Sequence, residues 1–371
     1  MADATPLLAG LPDEIVIWEI LVRLSPKSLL RCRPVSRAWR RATSTRSFLQ
    51  ANHGRQPALP IVFVNRSILA FDHRDDADHQ LHTVAQLDEV LYLQASCDGL
   101  LVLSRYGTAD TRFSICNPAT RQHAPFGAPA DLNVMGMYAH RPTGEYRLLL
   151  HRRTQRRWTF ADPRQEIVCC VLALGSDQPP RHVGWPDTAP PCFDPPAFVH
   201  GNLHWYPSYY RAQMKPVLVF DTIAETFRQM RAPSAPSSSS RVVEIDGTLG
   251  VYSRNRTTKA VEVWVLQSYE CEVWELKHRI QLPVEEIRGR FDGCGGYWVM
   301  DVVSSVDADV ILLLSIGPWL LYVDSNGKLV DSFNRGGQGL SLAGFRLKQT
   351  LVPHSFFTAL EGYSVNASPF I

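Results

Sequence analysis

The pattern of apolar residues divides the chain into a short helical part and a much longer part made of strands. In residues 13–24, eight of twelve positions are apolar, and Ile17, Leu21 and Leu24 recur at the spacing of one helix face. Trp18 lies on a second face of the same helix. One face is enough for packing inside a small bundle, so the second apolar face predicts a further surface that covers it.

Prolines mark the boundaries of the helical segments. Pro12 begins the first segment, Ser25 and Pro26 are an N-cap and first helical residue, and Pro34 ends the second segment before a third. A short helix near residues 47–52 completes the bundle. A bundle of roughly 40 residues is too small to be stable alone without disulfides or a metal. It therefore packs either on the rest of this chain or on a separate protein.

After residue 57 the pattern changes to short apolar strands separated by turns. Six strands end in a polar turn, at residues 72, 117, 175, 221, 268 and 324. Turns that contain Gly open strands at residues 98–99, 143–144, 200–201 and 246–247. Two markers that recur in phase, about fifty residues apart with four strands per unit, predict a β-propeller. Six units fit residues 58–352, and an irregular pair of β-sandwiches is the alternative.

The first of these units is one strand short. Only residues 61–64, 67–71 and 81–84 have strand character there, and the strand at residues 345–352 has no unit of its own. We expect this late strand to pair with the first unit, because that pairing closes the ring and removes its open edges. Truncation from Leu340 is then expected to unfold the domain.

Residues 11–40 resemble an F-box. They contain a Leu-Pro start, then I-L-x-R-L, K-S-L-L-R and V-S-R-x-W-R segments. The sequence departs from the family pattern at Ser25-Pro26, where the proline is shifted by one place, and at Pro34. The resemblance implies a module that binds a Skp-type adaptor and through it a cullin scaffold. The expected adaptor contacts are Leu11, Pro12, Ile15, Ile20, Leu21, Leu24, Leu29, Leu30, Val35 and Trp39.

Three later segments are similar to those of plant F-box-associated domains, which are kelch-like propellers that follow an F-box. They lie at residues 96–101, 116–121 and 200–205. Their physical roles are structural, since Gly permits tight turns, Asn-Pro sets a turn and Trp packs between blades. The predicted fold class is thus α+β multidomain, with a three-helix F-box and an all-β propeller of six blades. The expected domains are a tail at 1–10, the F-box at 11–53, the propeller at 58–352 and a C-terminal tail at 353–371.

The charge, the cysteine spacing and the N-terminal residues predict which partners and which cellular location the protein has. The 371 residues carry a net charge of +2 and 20% charged residues, so we expect neither a nucleic-acid partner nor a membrane partner. None of the eight cysteines forms a C-x-x-C pair, and the start lacks the basic and apolar regions of a signal peptide. The expected location is cytoplasmic, nuclear or both. The helical part carries eight Lys or Arg against three Asp or Glu, which indicates a solvated face or steering toward an acidic partner.

No catalytic constellation is evident, so the sequence predicts no enzyme, cofactor or metal. His200 and His204 lie four apart on a strand, which is not the spacing of metal ligands on a helix face. Cys169 and Cys170 are expected on opposite faces of a strand, one in the core and one at the surface. Residues 152–157 form a basic cluster that is either a solvated loop or an anion-binding patch.

Long loops are better candidates for binding, because binding residues concentrate on loops held by a rigid scaffold. The candidate target contacts are Trp185, Phe193, Tyr209 and Tyr210, with core or inter-blade packing as the alternative for each. The predicted function is a non-catalytic, substrate-recognition subunit of a Skp–cullin–F-box ubiquitin ligase with an unknown target protein. The alternatives are a propeller enzyme or carbohydrate-binding module with a helical cap, and an adaptor-bound scaffold outside any ligase.

Overall fold

The computed structural model describes most of the chain as a helical module followed by a ring of β-sheets. The described residues are 11–74, 80–105, 112–127, 132–152, 168–185, 194–206, 216–233, 240–255, 258–291, 298–305 and 309–371.

Four helices form the helical module, which we define as residues 11–57. They are Asp13–Ile15 (α1), Pro26–Cys32 (α2), Arg37–Ala42 (α3) and Arg46–Arg55 (α4). The first continues as a π-helix over Val16–Ile20 and a 3₁₀ turn over Leu21–Arg23. The Ser25 side chain accepts a hydrogen bond from the backbone N–H of Ser28, which confirms the predicted N-cap of α2.

Six antiparallel sheets form the blades of a propeller, as the spacing of the strands predicts. Each sheet has four main strands, and the order given is from the innermost strand outward. Blade 1 is Ser341–Leu347 (β24), Leu59–Val64 (β1), Ser67–Phe71 (β2) and Leu81–Gln86 (β3); blade 2 is Tyr92–Cys97 (β4), Leu100–Arg105 (β5), Arg112–Asn117 (β6) and Gln122–Phe126 (β7); blade 3 is Leu132–His140 (β8), Glu145–Arg152 (β9), Val168–Ala173 (β10) and Arg181–Val183 (β11). Blade 4 is Ala197–Val199 (β12), Asn202–Trp205 (β13), Val217–Asp221 (β14) and Thr226–Met230 (β15); blade 5 is Arg241–Ile245 (β16), Thr248–Asn255 (β17), Ala260–Ser268 (β18) and Val273–Gln281 (β19); blade 6 is Val299–Ser304 (β20), Val310–Ile316 (β21), Trp319–Val323 (β22) and Leu329–Asn334 (β23). A short helix, Val284–Arg290 (α5), joins blades 5 and 6.

The two sequence markers correspond to two fixed places in a blade. The strands that end in a polar turn are the third strands, β2, β6, β10, β14, β18 and β22. The Gly turns join the first and second strands of blades 2 to 5. In the turn at residues 98–99 both residues have positive φ, +49° and +83°, which is the backbone that a two-residue hairpin turn requires.

The ring closes through β24, which confirms the predicted pairing of the late strand with the first unit. The predicted bounds, residues 345–352, are wrong, because the strand begins at Ser341 and ends at Leu347. This strand runs antiparallel to β1, with Arg346 opposite Pro60 and Ser341 opposite Phe63. It is the inner strand of blade 1, so blade 1 combines the first and the last strands of the ring. Unfolding on truncation from Leu340 stays a prediction.

The residues after β24 pack against the propeller and do not extend beyond it as a tail. A 3₁₀ helix covers Ser355–Ala359, and a short strand, Ser364–Val365 (β25), pairs with β7 as a fifth strand of blade 2. Phe357 is fully buried against residues of blades 2 and 3, and Phe370 is buried against blades 1 and 2. The domain therefore includes two buried aromatic anchors from a segment that the sequence patterns leave unassigned.

Both faces of β10 are covered by neighbouring blades. Cys169 and Cys170 are both buried, so the prediction that one of them lies at the surface is wrong. Consecutive residues do point to opposite faces of β10, but in a propeller each face packs on an adjacent sheet.

The propeller has two distinct ends. The inner strands run toward an end that we call the module face, because the helical module sits there. Contacts between adjacent blades show that their first turns lie at this same end. The Tyr146 hydroxyl of blade 3 lies 3.2 Å from the Asp98 carboxylate of blade 2, and the Ser304 hydroxyl of blade 6 lies 2.6 Å from the Asp246 carboxylate of blade 5. At the opposite end, the far face, second strands connect to third strands and each blade connects to the next.

Candidate functional site

The helical module has its own apolar core. Two amide side chains close it, that of Asn52 in α4 and that of Gln56, the residue after α4. Leu21, Leu29 and Phe48 are almost completely buried in this core. Asn52 Nδ2 donates to the carbonyl oxygens of Val22 and Leu24, both at 2.9 Å. These bonds satisfy carbonyls that the end of the first helical segment would leave unpaired.

The structure separates the ten predicted adaptor residues into three groups. Leu21 and Leu29 lie in the core, so they support the module from inside and we leave them out of any docking surface. Leu24 and Trp39 are half-buried and pack against that core. The remaining six are exposed: Leu11, Pro12, Ile15, Ile20, Leu30 and Val35.

Large apolar side chains thus remain exposed on the helical module. We define its apolar surface as Leu11, Ile15, Trp18, Ile20, Leu30 and Val35, whose exposed fractions range from 38% to 71%. Exposed apolar side chains gathered on one small module are typical of a site that another protein covers. Trp18 is missing from the sequence-based set, although its place three residues after Ile15 puts both on one side of a helix.

The other side of the helical module packs on the module face of the propeller. Leu351 is buried in the same core as Phe48, and Val352 and Ala119 pack against it. Leu351 and Val352 follow β24, and Ala119 lies in the turn between β6 and β7. The propeller therefore covers one side of the core of the helical module, whereas Trp18, which marks the second apolar face predicted from the sequence, stays 40% exposed.

Polar contacts at this junction surround Asp98. His53 of α4 lies 3.2 Å through Nδ1 from the carbonyl oxygen of Gln349, and its Nε2 is 3.7 Å from the Asp98 carboxylate. Lys348 Nζ donates to the carbonyl of Gly54 at 3.3 Å. Burial alone would raise the pKa of Asp98, but the contacts with His53, Tyr146 and Lys348 hold it below its ordinary value. Asp98 therefore carries a negative charge at neutral pH.

The six inner strands enclose a central channel with two adjoining cavities of about 370 and 290 Å³. Both are lined by Ala58, Ser96, Arg141, Pro196, Phe198, Phe345 and Arg346. Arg346 donates two hydrogen bonds to the buried Asp301, at 2.5 and 3.1 Å, and one to the carbonyl of Val302. Burial alone would lower the pKa of Arg346, whereas the charge of Asp301 raises it, so the two form a stable ion pair.

The enzyme alternative requires three or more buried carboxylates around one pocket, and the described residues of the channel do not form such a cluster. Among the described residues around the two cavities the carboxylates are those of Asp98, Glu244 and Asp301, and only Asp301 is nearly buried. Asp246 is exposed and accepts a hydrogen bond from Ser304. Asp307 lies outside the described residues.

The predicted target contacts are only partly within the described chain. Trp185 follows β11 and is half-buried, with its ring 5.0 Å from that of Phe227 in blade 4. This is the inter-blade packing considered as its alternative role. Phe193, Tyr209 and Tyr210 lie outside the described residues.

The histidine pair has a structural role. His204 is fully buried, with Nδ1 3.3 Å from the carbonyl oxygen of Ala197 and Nε2 2.8 Å from the Tyr269 hydroxyl. Burial lowers its pKa to about 4, so it stays neutral. His200 is exposed beside Tyr269. Within the part of the chain that the structure describes, no three His, Cys, Asp or Glu side chains form a group that could hold a metal.

Two further predictions concern the basic cluster at residues 152–157 and a membrane partner. Arg152 ends β9 on the far face, while residues 153–157 of the basic cluster lie outside the described ranges. No helix in the described ranges combines the length and the apolar character needed to cross a membrane.

Comparisons with known proteins identify both parts of the chain. Residues 8–50 match the family model described as F-box-like, and residues 61–294 match that of the F-box associated beta propeller domain. An F-box/kelch-repeat protein of Arabidopsis thaliana is 24% identical over 309 residues, covering 73% of this chain and 71% of the relative. An Arabidopsis thaliana F-box protein is 24% identical over 299 residues, covering 73% and 79%. The solved structure of TolB from Acinetobacter baumannii aligns with a TM-score of 0.46 at 10% identity, over 78% of this chain and 68% of TolB, too low a similarity to inform function.

Proposed function

Because this chain belongs to the F-box proteins with an associated β-propeller domain, we propose that it is the substrate-recognition subunit of a Skp–cullin–F-box ubiquitin ligase. The helical module docks a Skp-type adaptor, and the propeller binds the target protein. The chain performs no chemistry itself. It raises the effective concentration of a target lysine near the conjugating enzyme. The proposed location of this subunit is the cytoplasm, the nucleus or both.

The single observation that carries the proposal is the apolar surface of the helical module. Its opposite side is occupied by Leu351 and Val352, so the exposed side is the one left for a separate protein. The exposed fractions of Ile15 and Val35, 43% and 71%, are large for apolar side chains on a module of this size. Burial of such side chains at an interface supplies the main driving force for association.

The far face of the propeller is the proposed target site. Connections within and between blades begin and end there, for example the one from β9 to β10 in blade 3, where fifteen residues separate the two strands. Loops held by rigid strands are the usual place for recognition residues. The adaptor and the target then bind at opposite ends of one body.

Co-expression with a Skp-type adaptor followed by size-exclusion chromatography tests the adaptor part of the proposal. The wild-type chain is expected to elute as a stable one-to-one complex. The double variant Ile15→Asp/Val35→Asp is expected to lose it, because two charges would be buried at the interface. Both side chains are exposed in the free chain, so the variant should fold.

The matched control is Ile223→Asp in the turn after β14, where the side chain is 54% exposed on the propeller. It should keep the complex. Failure of the well-folded wild-type chain to bind the adaptor contradicts the proposal. A complex without ubiquitination of any co-purified protein in a reconstituted ligase favours the adaptor-bound scaffold instead.

A further inference from the structure

The smaller cavity of the central channel has the properties of a ligand site that is independent of adaptor docking. Its volume of about 290 Å³ is close to the lower end of the range for small-molecule sites, roughly 300–1,000 Å³. It adjoins the 370 Å³ cavity, and the two share seven lining residues, so a ligand can extend from one into the other.

The charge around this cavity is positive. Arg141, Arg346 and Lys348 line it, against the single carboxylate of Asp98. Arg346 is neutralised by Asp301, and Asp98 is held by His53 and Tyr146. Lys348 makes one long hydrogen bond, to the carbonyl of Gly54.

Arg141 is the available cation. It lies in the turn between β8 and β9, is exposed and lines both cavities. Within the described chain it has neither a hydrogen-bond acceptor nor a carboxylate partner, unlike Arg241, which pairs with Asp194 at 3.1 Å. A guanidinium that projects into a concave site offers up to two parallel hydrogen bonds to an anionic group.

The walls next to these cations are aromatic. Phe198 lies on β12, the inner strand of blade 4, and its side chain is 46% exposed where its neighbours Ala197 and Val199 are buried. Phe345 lies on β24, the inner strand of blade 1, which is opposite blade 4 in a six-bladed ring. Phe345 is half-buried against the core of blades 1 and 2, whereas Phe198 is exposed. Aromatic rings within a concave site indicate a partner with an apolar, flat body.

The helical module lies at the rim of the two cavities, which favours a small molecule over a folded protein as the ligand. Ala58, which directly follows the helical module, lines both cavities, and Lys348 is bonded to Gly54 of that module. The rim of the site is therefore shared with the helical module, and a large partner would meet that module first.

From these contacts we propose that the channel binds a small organic anion, with its charged group on Arg141 and its flat apolar body against Phe198 and Phe345. Lys348 adds a second positive charge, which offsets the negative charge of Asp98. The ligand would also contact the segment that connects the helical module to the propeller.

Fluorescence titration of the full chain with 8-anilinonaphthalene-1-sulfonate, a flat aromatic anion, tests this site. We expect one saturable site whose affinity falls roughly tenfold or more in Arg141→Ala, the loss typical of a charge-assisted hydrogen bond. Phe198→Ala should weaken it by a similar factor, and Arg141→Lys should restore part of the affinity. Arg290→Ala on α5, where the arginine side chain is 63% exposed, is the matched control and should bind as wild type does.

Competing ligands, together with a variant that lacks the apolar surface of the helical module, distinguish this site from other places where the probe could bind. Benzoate should displace the probe, whereas inorganic phosphate at the same concentration should not. The component that depends on Arg141 should persist in Ile15→Asp/Val35→Asp, which removes probe binding to the apolar surface of the helical module. The inference is overturned if no component depends on Arg141, if phosphate competes as well as benzoate, or if an acidic peptide competes better than both.

Discussion

At the scale of single residues, the packing around His354 makes the protein sensitive to acid. The ring contacts those of Tyr146, Phe356 and Phe357, and its Nε2 is buried without a hydrogen-bond partner in the described chain. Burial lowers the pKa of His354 to about 4. The folded protein therefore holds this side chain neutral at pH values where the unfolded chain protonates it.

We expect His354→Phe to reduce the loss of stability in acid. Below about pH 6.5 the unfolded chain binds a proton that the folded chain does not bind until about pH 4, so the free energy of unfolding falls as pH decreases through that window. Between pH 7 and pH 5 this one group should cost the wild type about 2 kcal/mol. Urea denaturation at both pH values measures it. His182→Phe on the exposed part of β11 is the control, and equal acid losses in wild type and His354→Phe would refute the assignment.

Single residues are also where sequence-based prediction was least complete. The helical spacing identifies Leu21 and Leu29 as apolar but does not say whether they face the core or a partner. Burial in three dimensions decides that, because Phe48 and Leu351 arrive from distant parts of the chain. Trp185 likewise has a neighbour, Phe227, that only the arrangement of blades brings near.

At the scale of elements, the exit of β24 depends on a close approach to the first turn of blade 2. A Cβ atom on Gly99 would lie 2.5 Å from the carbonyl oxygen of Lys348 and 2.8 Å from a side-chain carbon of Thr350. Gly99 therefore serves two purposes, since it supplies the positive φ of the turn and leaves room for the chain that leads to Leu351.

Gly99→Ala should be clearly more destabilising than Gly247→Ala. Both glycines follow an aspartate in the same kind of turn, with φ of +83° and +78°, but Gly247 has open space around its Cβ position. The conformational cost, about 1 kcal/mol or more, is common to both variants. The clash at Gly99 should add roughly 1–3 kcal/mol. Thermal unfolding of the pair measures the difference, and equal melting temperatures would mean that the chain after β24 can shift without cost.

Elements are the level at which the sequence predicts most. The third strands of the blades end in polar turns at regular spacing, so six units and the closing role of the late strand follow from the pattern. The additional strand β25 does not follow, because two residues carry no periodicity and its partner β7 is more than two hundred residues away. The π-helical stretch within the first helical segment is likewise not encoded in any spacing we considered.

At the scale of the whole molecule, the helical module and the propeller share one hydrophobic core. Leu351 is 7% exposed and packs with Leu29, Phe48 and Leu49. The adaptor-docking surface proposed above therefore has a fixed orientation relative to the channel and the far face. A fixed orientation suits a subunit that must hold a target near a conjugating enzyme.

Leu351→Ala should loosen the helical module selectively. A cavity of this kind costs roughly 2–5 kcal/mol, and the loss should appear as faster amide hydrogen exchange in α4, with blade 5 unchanged. Val330→Ala on β23, where the side chain is 48% exposed, is the control. Unchanged protection of α4 in Leu351→Ala would show that the helical module holds its structure without the propeller.

The position of β24 also determines the order in which a newly made chain can acquire its structure. The helical module is synthesised before the blades, which follow in order, yet blade 1 has no inner strand until residues 341–347 have been made. Leu351 and Val352, which pack on the core of the helical module, follow within five residues of the end of β24. Ring closure and module docking are thus both deferred until the strands of blades 2 to 6 have been made. A chain that terminates early would expose an open sheet edge and an incomplete core, which are features that cellular quality control can recognise.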